Sequence, residues 1–321
     1  MKQAAFEKRF ASGWDELEDL LLILEREGRD PDLAQLPERY RDLCQQLALA
    51  RHRVYSAALV ERLNSLAVRC HVHLYGRRPA PWGRIATMLL LDFPRALRAE
   101  WRLLAVSTVL FALPLLFTML LCASEPENVY LTLDPMTVAD VEAMYDPKSP
   151  FHEDERAASG DLVMFGFYIR NNIGIALRTF GMGALAGVGS GIVLIYNGAF
   201  IGAVAGYLTA VGYGSTFWPF VVGHGAFELT AIVIAGVAGL KIGLTLLRPG
   251  QRTRAQALQE EAREALVLVA GFSAMLFVAA IIEAFWSSAR WVPVPVKFGV
   301  GGFLWSLVVA WLSLAGRDRG S

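Results

Sequence analysis

The sequence predicts an all-α polytopic membrane bundle preceded by a helical cytoplasmic region, and three observations carry that prediction. Of the 321 residues, 55% are hydrophobic and only 19% charged, with a mean hydropathy of +0.40. That is too apolar for one ordinary soluble domain. The apolar residues gather in blocks of about 20, the length that crosses a hydrocarbon core of roughly 30 Å as a helix. Basic and acidic residues are segregated between the segments that join these blocks.

Residues 1–76 read as cytoplasmic helices. Phe6, Phe10, Trp14, Leu17, Leu20, Leu21 and Leu24 recur at helical spacing until Gly28-Arg29-Asp30-Pro31 breaks the pattern. Two further amphipathic stretches, about 36–52 and 53–74, suggest a small helical bundle. The N-terminus has no basic-then-apolar leader, so no cleavable signal peptide is expected. Cys44, Cys70 and Cys122 show neither metal nor redox spacing. Residues 77–102 form a basic interfacial segment in which Arg84, Arg95 and Arg98 alternate with apolar residues.

The first span runs from about Leu103 to Cys122, within a segment 103–124. Residues 125–161 then carry ten acidic side chains against Lys148 and Arg156. Since basic loops stay inside, the N-terminus is read as cytoplasmic and the acidic loop as external. The membrane core, 162–315, holds further spans at about 162–179, 182–211, 219–247, 265–287 and 295–315, with a cytoplasmic loop at 248–264 and a cytoplasmic tail at 316–321. Six spans put Arg248, Arg252, Arg254, Arg263, Arg317 and Arg319 inside. Reading 162–211 as one excursion gives five spans and puts them outside, against the rule.

Polar groups inside spans point to candidate sites, because an ionised, unpaired one costs about 2.5–3.5 kcal/mol at the bilayer centre. Arg170, Asn171, Asn172, Asn197, His224, Glu228 and Glu283 are such groups. Counting helix rise inward from the span ends puts Asn171 and Asn172 about 15 Å deep, Glu228 about 13 Å, His224 about 7 Å, and Asn197 about 21 Å, just past the midplane. These residues are expected to meet in one buried polar cluster. His224 and Glu228 share a helix face. The cluster is read either as a binding or conduction site or as a network that pins the bundle, with Arg170 or His224 neutralising Glu228.

No metal centre and no cofactor are expected. HGAFE at 224–228 lacks the second histidine and adjacent glutamate of HExxH, so His224, Glu228 and Glu283 are the residues a metal would have to use. No Gly-x-Ser-x-Gly elbow or Walker loop sits in a suitable context, which argues against an enzyme. The zero net charge gives no argument for a nucleic-acid partner. Four-residue glycine steps, Gly183 to Gly187 and Gly198 to Gly202 to Gly206, fit close helix packing within the bundle or a homodimer seam.

The run NNIGIALRTFGMGALAGVGSGIVLIYNGAFIGAVAGY, followed by HGAFELTAIVIAGVAGLKIG and IIEAF, resembles the stage II sporulation protein M family. The upstream LARHRVYSAALVERLNSLAVRCHVHLYG is similar to the cytoplasmic lead-in of its bacterial members, so the resemblance covers about residues 8–315. Asn171, Asn172, Asn197, His224, Glu228 and Glu283 match the family's motif positions. The resemblance implies a bacterial inner-membrane protein, and, by its namesake, a scaffold holding a peptidoglycan-degrading complex. The leading expectation is therefore a non-enzymatic scaffold that recruits other envelope proteins. The alternative is a transporter or channel for an ion or small amphiphile.

Overall fold

The structure is a computed structural model that describes residues 2–27, 36–75, 82–148 and 158–317. These fall into two compact units, 1–81 and 82–321. Among the described residues every regular element is helical.

The first unit is a three-helix bundle of α1 (Gln3–Glu27), α2 (Leu36–His52) and α3 (Ala57–Tyr75). Its helical apolar stripes bury Phe6, Trp14, Leu17, Leu21, Leu43, Leu47, Leu63, Leu66 and Cys70 in one core. Trp14 Nε1 donates to Gln46 Oε1 at 2.6 Å, so the large indole is buried without leaving its N–H unpaired. The break expected at 28–31 and residues 77–81 of the basic interfacial segment lie outside the described residues.

In the second unit, α4 (Trp82–Thr87), a π-helical turn (Met88–Asp92) and α5 (Phe93–Ala99) lead into α6 (Trp101–Ser124). Arg98 donates to the Leu312 and Ala315 carbonyls, both at 2.6 Å, and Arg95 Nε to the Gly316 carbonyl at 2.5 Å. Two of the arginines read as interfacial thus cap the exposed carbonyl end of α13 (Val294–Leu314). After α6 come a 3₁₀ turn (Pro126–Leu131) and α7 (Pro135–Tyr145). Asp134 caps α7 by accepting from the Met136 and Thr137 amides. The remaining elements are α8 (Ala158–Tyr168), a second π turn (Ile169–Ile173), α9 (Gly174–Gly181), α10 (Val188–Ala210), α11 (Gly214–Leu247), α12 (Arg254–Ile281) and a third π turn (Ile282–Ser287).

Among the described residues, five helices are long and apolar enough to cross a membrane: Trp101–Ser124, Val188–Ala210, Gly214–Leu247, Glu264–Ser287 and Val294–Leu314. The chain is a multi-pass membrane protein. The choice between five and six spans follows from helix direction. Gly198, Gly202 and Gly206 pack on the carbonyls of Phe111, Leu115 and Met119 in that order. The two sequences rise together, so α10 runs parallel to α6. Parallel neighbours require the chain to recross the bilayer between them. The segment available is Ala158–Gly181, about 36 Å long as a helix. Arg170, Asn171, Asn172 and Arg178 make it too polar to register as a span by composition alone.

The other pairings agree. Gly243, Gly239 and Gly236 of α11 meet Gly187, Ser190 and Leu194 of α10, which is an antiparallel match. The glycine steps singled out from sequence are therefore occupied inside one chain. A Cβ at Gly183 would overlap the Gly239 backbone, and one at Gly202 the Leu115 carbonyl.

Candidate functional site

The site forms where α11 meets the two π turns that follow α8 and α12. α11 carries His224 and Glu228 one helical turn apart, with His224 Nε2 3.7 Å from Glu228 Oε2. The turn Ile282–Ser287 contributes Glu283 and Ser287, both buried. The turn Ile169–Ile173 contributes Asn172, also buried. Asn172 Nδ2 donates to Glu283 Oε2 at 3.4 Å, and His224 Nδ1 lies 3.1 Å from Ser287 Oγ. One ligating atom each from His224, Glu228 and Glu283 fall within 4.8 Å of one another.

A π turn inserts one residue into the helical repeat, and such insertions concentrate at functional sites. Here two of the three π turns in the unit supply site residues. In the first, Asn172 is buried while Arg170 and Asn171 are exposed; in the second, Glu283, Ala284 and Ser287 are all buried.

The cluster expected from depth alone loses several members. Arg170 and Asn171 are exposed on the outer face of their helix. Asn171 reaches the site only by donating to Asn172 Oδ1 at 3.0 Å. Arg170 has no hydrogen bond or ion pair to any described residue, so it does not neutralise Glu228. Asn197 Nδ2 donates to the Val193 carbonyl of its own helix at 2.7 Å and stays apart.

Three neighbours were not singled out from sequence. Ser287 fixes the imidazole. Lys297 Nζ donates to the Ser287 carbonyl at 2.7 Å from the first turn of α13; near a span end it reads as an interfacial anchor. Tyr145 of α7 stacks edge-on against Phe217 and Phe220, and Phe220 in turn against His224. Burial, with Glu283 and Glu228 nearby, raises the Tyr145 phenol well above its ordinary value. Its presence beside those carboxylates ties the acidic segment to the site.

A second polar cluster lies at the opposite end of the bundle. Lys241 pairs with Glu100 at 3.0 Å, Glu261 at 2.8 Å and Glu264 at 2.9 Å, joining three helices. There one cation serves three carboxylates. At the His224 site two carboxylates face an imidazole and no ammonium or guanidinium bonds to either among the described residues.

Comparison with known proteins follows the same division into two units. The family described as stage II sporulation protein M matches residues 107–288. This chain belongs to that family. The matched segment contains every residue of the cluster, from Asn172 to Ser287, so the site lies within the part the family defines. A separate family, described as a domain of unknown function (DUF8413), matches residues 4–76, the three-helix bundle. No curated protein and no solved structure matches the chain.

Proposed function

We propose that this chain is a multi-pass protein of the bacterial cytoplasmic membrane that binds a small cation at the His224–Glu228–Glu283 cluster and moves it through the bundle. One observation carries the reading: an imidazole and a carboxylate of α11 converge with a carboxylate of the third π turn, and among the described residues no lysine or arginine bonds to either carboxylate. A network that served only to pin the helices would be expected to bring an ammonium or guanidinium to its carboxylates, as Lys241 does at the other end of the bundle. Two carboxyl groups without an ammonium or guanidinium partner in a low-dielectric interior instead favour a cationic guest that displaces their protons.

The orientation has both termini inside. Arg95, Arg98, Lys241, Arg248 and Arg252 share the end of the bundle where α6 begins and α11 ends. The acidic segment 125–148 lies at the opposite end, where Tyr207 of α10 hydrogen-bonds Glu142. The positive-inside rule then sets the direction.

The test is cation flux into vesicles carrying the purified full chain. Wild type is expected to show flux that Glu228→Gln and His224→Ala reduce to background, with unchanged elution as a folded species. Variants that transport like wild type, or that fail to insert, would return the cluster to a purely structural role.

A scaffold role is the second reading, supported by the separate helical bundle at 4–76, which has its own core and its own family match. In that reading the bundle and the acidic external segment recruit partners for envelope remodelling. Crosslinking in native membranes is expected to recover them; recovery of this chain alone would count against recruitment.

A further inference from the structure

Resting on the reading of the cluster as a cation station, we propose that the cation is a divalent first-row transition metal, held by His224 Nε2, Glu228 and Glu283. The donor set decides the class. One imidazole nitrogen with two carboxylate oxygens suits zinc and its neighbours, whereas magnesium and calcium take oxygen ligands throughout. The three donor atoms already lie within 4.8 Å of one another, and His224 Nε2 and Glu228 Oε2 are 3.7 Å apart. Contraction of these side chains about one ion brings each to bonding distance, about 2.0–2.2 Å.

The surrounding residues orient the ligands as metal sites require. His224 Nδ1 shares a hydrogen bond with Ser287 Oγ at 3.1 Å, which holds the imidazole with Nε2 toward Glu228. Asn172 Nδ2 holds Glu283 at 3.4 Å. Lys297 is engaged with the Ser287 carbonyl, and among the described residues no lysine or arginine bonds to the carboxylates. Charge balances as well, since two carboxylates with a neutral imidazole match a dipositive ion. His224 is 5% exposed and Glu228 is 19% exposed, so Glu228 is the more accessible of the two α11 ligands.

The experiment uses the full chain in detergent, stripped with chelator and titrated with Zn²⁺, with Co²⁺ as a spectroscopic probe. One Zn²⁺ per chain is expected, together with a visible Co²⁺ band characteristic of nitrogen and oxygen ligation. Glu228→Gln and Glu283→Gln should weaken Zn²⁺ binding at least 100-fold, and Asn172→Ala 10- to 100-fold. Asn197→Ala, outside the cluster, should bind as wild type does. The wild-type Co²⁺ spectrum needs no variant, so the assignment stays testable even where a substitution impairs folding. A wild-type chain that binds no Zn²⁺ or Co²⁺, or binds them undiminished in Glu228→Gln and Glu283→Gln, overturns the metal. If it then still passes a monovalent cation into vesicles in a Glu228-dependent way, the broader cation reading stands; if not, both fall.

Discussion

Two interfaces inside the membrane unit solve the same problem in opposite ways. Where α10 meets α6, glycines at 198, 202 and 206 let the backbones touch, and Thr118 Oγ1 donates across to the Ala199 carbonyl at 2.9 Å. Where α11 meets the two π turns, the helices present a histidine, two glutamates and an asparagine. In a solvent of lipid tails, close backbone packing and one hydroxyl hydrogen bond hold these helices together without ionisable groups. The second interface therefore carries polar groups that assembly does not need, and that difference argues for a ligand.

The contrast is broken most severely at the glycine seam. Gly202→Val would drive a side chain into the Leu115 carbonyl and Thr118, and overpacking of this kind costs about 3 kcal/mol or more. The expected result is loss of the folded species on elution, whatever the cation. At the polar site Glu283→Gln should do the reverse, retaining thermal stability while abolishing Zn²⁺-dependent stabilisation. A Tm lowered as far as by Gly202→Val would make the two interfaces equivalent.

The first unit provides a smaller and pH-dependent contrast, because its core is apolar throughout. Burial, and secondarily Cys44, pushes the Cys70 thiol up to about 11 from 9.0. A folded state that keeps its proton longer is favoured below pH 9 and loses that advantage as pH rises toward 11, by about 2–3 kcal/mol in all. Alkylation of Cys70 in the full chain carrying Cys44→Ser and Cys122→Ser should show a midpoint near 11; a midpoint at 9 would contradict the burial. The smallest effect is expected at Arg62, which pairs with Asp15 at 2.6 Å and Glu18 at 3.1 Å on the exposed surface. Arg62→Ala should change stability by no more than about 1 kcal/mol.

The membrane architecture was legible because the bilayer imposes a length, and 20-residue apolar blocks are visible in any sequence. The span holding Arg170 and Asn172 was legible only from the balance of basic loops; its direction follows from α10 lying parallel to α6. Within the site, His224 and Glu228 stood out as charges on an apolar helix. Helix rise gives depth but not facing, so Arg170 and Asn197 entered the expected cluster although the structure leaves them outside it. For Arg170 the π turn at 169–173 obscures facing further, as the one at 282–287 does for Glu283 and Ser287; Asn197 lies in regular helix, where its own backbone takes its amide. Each π turn shifts the angular register within a helix, and neither has a composition that announces it. Ser287 and Lys297 were missed for a simpler reason: a serine in a span is ordinary, and a lysine at its end reads as an anchor.

The central claim is that His224, Glu228 and Glu283 form a cation site within the bilayer. X-ray absorption at the zinc edge of the reconstituted full chain tests it most directly. A shell of nitrogen and oxygen at about 2.0–2.1 Å with the outer scattering of a single imidazole is expected. A shell dominated by sulfur at about 2.3 Å, or one without imidazole scattering, would contradict it.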